Sequence, residues 1–190
     1  MTFYKDFLPS QQFKLIEEAV NKNIEEVKAS VPPLLNPKNY KKRSGPNWSN
    51  YISEEYLQSL IATPNPYAKK SNKMKIKTPS DLTNVLINIF PEYKLQESGY
   101  FYYPKEGFMG WHTNHNETED RLYITFAEED KQSFFRYYEN GSIITDYDNK
   151  GITIRRFSIP SKPPYFWHCV GSYCRRFSFG YKMFPISETI

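Results

Sequence analysis

The chain has 190 residues, a formal net charge of +4 and a charged fraction of 24%, which is ordinary for one soluble globular domain. Its two cysteines are too few for a disulfide scaffold, and no apolar stretch approaches the roughly 18 residues that a membrane span needs. The first residues lack the charged-then-apolar pattern of a signal peptide, so we expect a cytoplasmic protein.

The first half of the chain is predicted to be helical, with loops between the helices. Apolar residues recur at helical spacing over residues 10–29. A short helix is predicted over residues 54–62, and a further helix begins with Thr78 as its N-cap and ends before Pro91. Loops rich in Pro, Asn, Lys and Ser are predicted over residues 31–50 and 63–77.

From about residue 95 onward, the spacing of apolar residues changes to that of β-strands. Aromatic residues make up 17% of the chain and favour β-structure, and Asn140-Gly141 is a strong hairpin signal. Eight strands are predicted, over residues 95–103, 107–113, 121–127, 132–139, 142–147, 151–159, 164–170 and 176–184. Helices followed by eight strands predict one α+β domain (1–190), in which residues 1–93 support a jelly-roll core formed by residues 94–185.

Three histidines are all that the chain has, and their placement indicates a metal site. Residues i and i+2 of a strand share a face, so His112 and Asn114 can point into one cavity. A jelly roll would bring the second and seventh strands together, and with them His112 and His168. Two histidines and one carboxylate on one face are a ligand set of non-haem iron that leaves positions open for substrate and O₂. In this chain Asn114 stands where the carboxylate is expected.

The last predicted strand opens with Arg176-Phe177-Ser178. Arg176 and Ser178 share a face, so a guanidinium and a hydroxyl could bind one carboxylate together. Arg175 is the competing residue, although its side chain should point to the opposite face. The alternative is that both arginines are exposed charges on an edge strand.

These residues carry a resemblance to a known family. The segment from Tyr100 to Phe184 resembles the iron(II)/2-oxoglutarate-dependent oxygenases, a superfamily with a double-stranded β-helix fold. The resemblance runs through Gly110-Trp111-His112-Thr113-Asn114, Arg121-Leu122-Tyr123-Ile124, Trp167-His168 and Arg176-Phe177-Ser178. Small bacteriophage-encoded members are the most similar, which implies the host cytoplasm as the location.

The resemblance implies an activity and a role for each matching residue. His112 and His168 would bind Fe(II), and Arg176 would pair with the distal carboxylate of 2-oxoglutarate. The implied activity is a dioxygenase reaction, most simply hydroxylation, of a small molecule, a protein side chain or a nucleic acid. Ser178, and Tyr102 or Tyr123, would donate hydrogen bonds to the same carboxylate.

Asn114 departs from the family pattern and leaves four outcomes open. It could bind iron as a weak neutral ligand, or His115 could swing in as a third nitrogen ligand. A halide or a water could take the position instead. The site could also be degenerate, leaving a binding protein or a phage structural or accessory protein on the same jelly roll. Glu117 and Glu119 in the following loop could also reach the metal.

Two basic runs suggest a possible partner. One spans Lys38–Arg43, and the other spans residues 69–77. Such runs are either solvated loops or contacts for nucleic acid or another polyanion. The second run contains Lys69, Lys70, Lys73, Lys75 and Lys77.

Overall fold

The computed structural model describes residues 2–31, 48–63, 70–79 and 81–186. Within these ranges the chain forms helices α1 (Ser10–Ala29), α2 (Glu54–Ala62) and α3 (Leu82–Ile89), and a 3₁₀ helix (Trp48–Ile52). None of these helices is long and apolar enough to cross a membrane.

The helices lie close to where the sequence predicts them, with two differences. α1 and α2 match the predicted ranges, and the hydroxyl of Ser53 caps α2 by accepting from the backbone N–H of Tyr56. α3 begins at Leu82 rather than near Thr78, and the N–H of Ile76, shortly before, donates to the backbone carbonyl of Tyr100 at 3.1 Å. The 3₁₀ helix lies partly within the predicted loop 31–50.

Ten strands are present in the described ranges, and eight of them, β3 to β10, overlap the eight predicted ones. The added strands, β1 and β2, are short edge strands that the sequence analysis missed. The seventh predicted strand begins at His168 rather than at residue 164, because Pro163 and Pro164 have no N–H to donate to a sheet. The strands are β1 (Phe3–Lys5), β2 (Met74–Lys75), β3 (Tyr93–Tyr103), β4 (Gly107–His112), β5 (Glu119–Ala127), β6 (Ser133–Glu139), β7 (Ser142–Tyr147), β8 (Gly151–Ile159), β9 (His168–Ser172) and β10 (Arg176–Pro185).

The strands form two antiparallel sheets. The large sheet has the order β1-β8-β5-β10-β3-β2, and the small sheet has the order β4-β9-β6-β7. Along the chain, consecutive strands from β3 to β10 alternate between the two sheets, except that β6 and β7 form a hairpin within the small one. The molecule is therefore mostly antiparallel β-structure supported by helices, in agreement with the predicted α+β class.

Three apolar layers fix which side chains face the space between the sheets. α1 and α3 cover the outer face of the large sheet, where Leu122, Phe177 and Phe179 lie. α2 and the 3₁₀ helix cover the outer face of the small sheet. The inner faces meet through a third cluster that includes Phe135 and Phe157. Because side chains alternate along a strand, His168, Arg176 and Ser178 belong to the inner faces.

Candidate metal centre

His112 and His168 lie side by side in the space between the sheets. They are directly opposite each other on β4 and β9, and their ring centres are 4.1 Å apart. The side chains are buried, with 2% and 1% of each residue exposed. The structure therefore brings these two histidines close together, as the predicted strand order indicates.

Backbone carbonyls set the tautomer of both rings. Nδ1 of His112 lies 2.8 Å from the carbonyl oxygen of Gly110, and Nδ1 of His168 lies 2.9 Å from that of Phe166. A carbonyl can only accept, so each Nδ1 carries the hydrogen and each Nε2 carries the lone pair. A carbonyl that accepts from the other ring nitrogen in this way is a usual feature of metal-binding imidazoles.

Gly110 has no side chain, so the backbones of Tyr51 and Lys70 can approach it closely. The N–H of Gly110 donates to the carbonyl of Lys70 at 2.7 Å, and a β-carbon there would lie 3.0 Å from the carbonyl oxygen of Tyr51. β4 is irregular between Met109 and His112, which turns the end of this strand inward. The packing of these backbones around Gly110 thus holds in place the Gly110 carbonyl that orients the ring of His112.

Asn114 reaches the histidine pair. Its amide nitrogen lies 3.2 Å from Nε2 of His168, which accepts the hydrogen bond. β4 has ended at His112, and Asn114 adopts a left-handed backbone with φ of +54°. Asn and Asp are among the residues that adopt this conformation most readily. An aspartate would therefore fit the backbone at this position as well.

The other residues that could supply a third ligand are engaged elsewhere. Nδ1 of His115 lies 2.8 Å from the hydroxyl of Thr113, and its ring centre is 5.1 Å from that of Tyr165. Glu117 and Glu119 both form ion pairs with Lys182. In the part of the chain that the structure describes, no group of three His, Cys, Asp or Glu residues could hold a metal ion.

Aromatic rings exclude water from the inner side of His168. Its ring centre lies 5.0 Å from that of Phe166, 5.4 Å from Phe135 and 5.8 Å from Phe157. All three phenylalanines are buried. The histidine pair therefore sits in an apolar environment, in which an ion–ligand interaction is stronger than in water.

Arg176 lies on the inner face of β10, as predicted, and is 1% exposed. Its Nε donates to Asp148 at 2.8 Å, and its Nη2 donates to the hydroxyl of Thr125 at 3.2 Å. Its Nη1 is buried and has no hydrogen-bond partner among the described residues. The ring centre of Tyr103 lies 5.0 Å from the guanidinium carbon.

The other predicted co-substrate residues divide between the two faces of the large sheet. Ser178 follows Arg176 on the inner face, and Tyr123 packs inward against Phe157, with ring centres 5.0 Å apart. Tyr102 lies on the outer face instead, in the layer that α1 and α3 cover. The structure therefore brings Tyr103, rather than Tyr102, to the guanidinium of Arg176.

Asp148 is the functional-site residue that the sequence analysis missed. It is fully buried, accepts from Ser133 Oγ at 2.5 Å, and forms ion pairs with both Arg155 and Arg176. Burial alone would raise its pKa, but the two guanidinium groups and the hydroxyl outweigh burial and hold the pKa well below the usual range. In the sequence, Asp148 forms part of an ordinary turn signal, and nothing in that signal indicates burial.

An open cavity of about 1210 Å³ lies next to two of the aromatic rings that pack against His115 and His168. The hairpin of β6 and β7, the end of α2 and the loop before β9 form its walls. Two of its lining residues, Tyr165 and Phe166, are the ones whose rings contact His115 and His168. Neither His112 nor His168 lines the cavity, and the ring of Phe166 lies between the cavity and His168.

The lysines of the second basic run do not share one environment. Lys70, Lys75 and Lys77 are exposed. Lys73 is half-buried, with its Nζ 3.5 Å from the ring centre of Phe101. Lys69 and the run Lys38–Arg43 lie outside the described residues. Binding of a polyanion stays a prediction, which a steep dependence of affinity on salt concentration would test.

Comparisons with known proteins give likenesses to solved structures alone. No protein-family model and no curated protein sequence matches the chain. The chain is similar to an oxidoreductase of the 2OG-Fe(II) oxygenase family from Burkholderia pseudomallei, with 16% identity over 55% of this chain and 50% of that one, and a TM-score of 0.39. It is also similar to a prolyl-4-hydroxylase from Pseudomonas putida, with 10% identity over 97% of this chain and 92% of that one, and a TM-score of 0.47.

Proposed function

We propose that this protein is an iron(II)/2-oxoglutarate-dependent oxygenase that hydroxylates a substrate bound in the cavity at the loop before β9. The observation that carries the proposal is the buried cross-strand pair of His112 and His168, each with its Nδ1 on a backbone carbonyl. Arg176 and Ser178 on the facing sheet supply the groups that a co-substrate carboxylate needs. The succession of β3 to β10 between the two sheets supports the further proposal that these strands form a jelly roll.

The residues at the histidine pair fit a divalent cation. Two imidazole nitrogens with fixed tautomers suit iron, and the amide of Asn114 could turn its oxygen to the same point. Because an amide is neutral, the ligand set lacks the negative charge of a carboxylate. We therefore expect Fe(II) to bind more weakly here than at a site of two histidines and one carboxylate.

The residues at Arg176 fit one carboxylate oxygen. The buried Nη1 without a partner is a donor that such an oxygen would satisfy. Bound Fe(II) and 2-oxoglutarate would supply the oxidising chemistry that places an oxygen atom from O₂ into a substrate C–H bond. The chain would hold both groups in place, and the rings around His168 would keep water away.

An anaerobic titration of the full chain with Fe(II) and 2-oxoglutarate tests the proposal. We expect the weak visible charge-transfer band of a ternary complex and heat of binding for both components. His168→Ala should remove the band. A wild-type protein that shows neither the band nor heat of binding would overturn the proposed activity.

Replacing Asn114 by Asp tests whether this residue faces the metal. The change adds one negative charge beside His168 in a backbone conformation that aspartate accepts, so we expect affinity for Fe(II) to rise about tenfold or more. Asn116→Asp is the matched control, because it adds the same charge at an exposed position of the same loop. Equal gains in the two variants would mean that Asn114 does not approach the metal.

The second candidate function is that of a non-catalytic binding protein on the same scaffold. The neutral residue at position 114 favours this candidate, since a dication bound by two histidines and Asn114 would have no negatively charged ligand. The same titration separates the two candidates, because a binding protein would take up neither component. The likeness to small bacteriophage-encoded members and the cytoplasmic location stay predictions from the sequence.

A further inference from the structure

Asp148 lies between two buried arginines and belongs to a chain of ion pairs. Its Oδ2 accepts from Nε of Arg176 at 2.8 Å, and its Oδ1 pairs with Nη1 of Arg155. Arg155 also donates to Asp146 at 2.5 Å, and Asp146 pairs with Lys5 at 3.1 Å. Arg155, Asp148 and Arg176 are each no more than 1% exposed.

This arrangement engages two of the five N–H donors of Arg176, and one of the two bonds is to a carboxylate. A guanidinium binds a carboxylate most strongly through two parallel N–H bonds. Asp148 occupies the single N–H of Nε, and Thr125 occupies one of the two N–H groups of Nη2, so the second N–H of Nη2 and both of Nη1 remain for another acceptor. A co-substrate carboxylate can therefore reach Arg176 only at its two terminal nitrogens, while Asp148 stays bound to the same guanidinium.

The charges of the network act on an incoming anion in two directions. Three cations (Lys5, Arg155 and Arg176) meet two carboxylates (Asp146 and Asp148), so one positive charge is uncompensated and attracts an anion. Asp148 is nevertheless bound to the same guanidinium that an anion would approach. Like charges held close together in a partly dry interior repel strongly.

We propose that Asp148 is a built-in competitor for the co-substrate carboxylate at Arg176, and that it lowers the affinity of this site for dicarboxylates. The inference rests on the proposed function in taking 2-oxoglutarate as the ligand. Removing one negative charge about 6 Å from a bound carboxylate, at an effective dielectric constant of about 20, corresponds to a gain in affinity on the order of 100-fold. Asp148 thus weakens co-substrate binding while it holds two buried arginines in the fold.

The test measures binding of 2-oxoglutarate to the full chain by anaerobic titration calorimetry, with and without Fe(II). Asp148→Asn keeps the size of the side chain and removes the charge, and we expect it to bind 2-oxoglutarate at least tenfold more tightly than the wild type. Glu128→Gln is the matched control, because it removes the same charge from the exposed pair with Arg175. Arg176→Met should abolish the gain. If Asp148→Asn does not fold, the double variant with Arg155→Gln removes one cation together with the carboxylate and should also bind more tightly.

The outcomes separate this inference from the proposed function. Equal or weaker binding by Asp148→Asn, with a wild type that binds 2-oxoglutarate, would overturn the inference alone. Binding by Asp148→Asn and none by the wild type would support the competition and overturn 2-oxoglutarate as the natural co-substrate. Absence of binding in every variant would overturn both.

Discussion

Asp148→Asn should destabilise the fold far more than the loss of any surface ion pair. Asp148 is fully buried and is the carboxylate that the guanidinium groups of Arg155 and Arg176 share. Removing one partner of a buried ion pair leaves an uncompensated charge and costs about 3–5 kcal/mol. We therefore expect the free energy of unfolding to fall by that amount.

The comparison variant is Glu128→Gln, which removes the carboxylate next to the neighbouring arginine. The Glu128 side chain is 26% exposed, and that of Arg175 is 51% exposed, so solvent screens the pair. Exposed pairs contribute at most about 1 kcal/mol. The two variants thus remove the same charge from the ion pairs of two adjacent arginines, an exposed one with Arg175 just before β10 and a buried one with Arg176 within β10.

Urea unfolding followed by tryptophan fluorescence measures both variants, since Trp111 and Trp167 are buried. With a slope of about 2 kcal/mol per molar urea, the midpoint of Asp148→Asn should fall by about 2 M and that of Glu128→Gln by less than about 0.5 M. The two slopes should match that of the wild type. Equal shifts in the two midpoints would refute the reasoning, because burial would then have no influence on the cost.

Three further predictions follow from the same contacts. The pKa of the Asp148 carboxyl is lowered in the folded state. The ionised carboxylate therefore stabilises the fold above the ordinary carboxyl range near pH 4, and this contribution is lost only as the pH falls through the lower folded-state pKa. The difference in unfolding free energy between the wild type and Asp148→Asn should be constant from pH 7 to about 5 and become smaller in stronger acid. His115→Ala should leave Fe(II) affinity unchanged in calorimetry, because the Nδ1 of His115 is at hydrogen-bond distance from Thr113 and its ring packs against Tyr165. Phe135→Ala should lower the free energy of unfolding by about 3–5 kcal/mol in urea titration, since this fully buried ring packs on His168. A loss under about 1 kcal/mol would contradict close packing between the inner faces of the two sheets.

Local patterns in the sequence determined which segments form helices and strands. Apolar spacing placed α1 and α2, and alternation placed the strands on which the histidines and Arg176 lie, because these signals depend on neighbours within a few residues. The first and last residues of these helices and strands were predicted less accurately. The start of α3 and the start of β9 depend on where the chain leaves a sheet, which apolar spacing does not encode.

The sequence by itself also predicted that His112, Asn114, His168 and Arg176 belong to one site, through their order along a predicted jelly roll. Only the tertiary structure decided what each side chain meets there. It placed Tyr103 instead of Tyr102 at the guanidinium, set the histidine tautomers through backbone carbonyls, and buried Asp148 against Arg176. The contacts of Arg176 with Tyr103 and Asp148 join residues that are far apart in the chain, and the local contacts of the histidines depend on how the ends of β4 and β9 bend, so burial and charge compensation become defined only when the two sheets close over them.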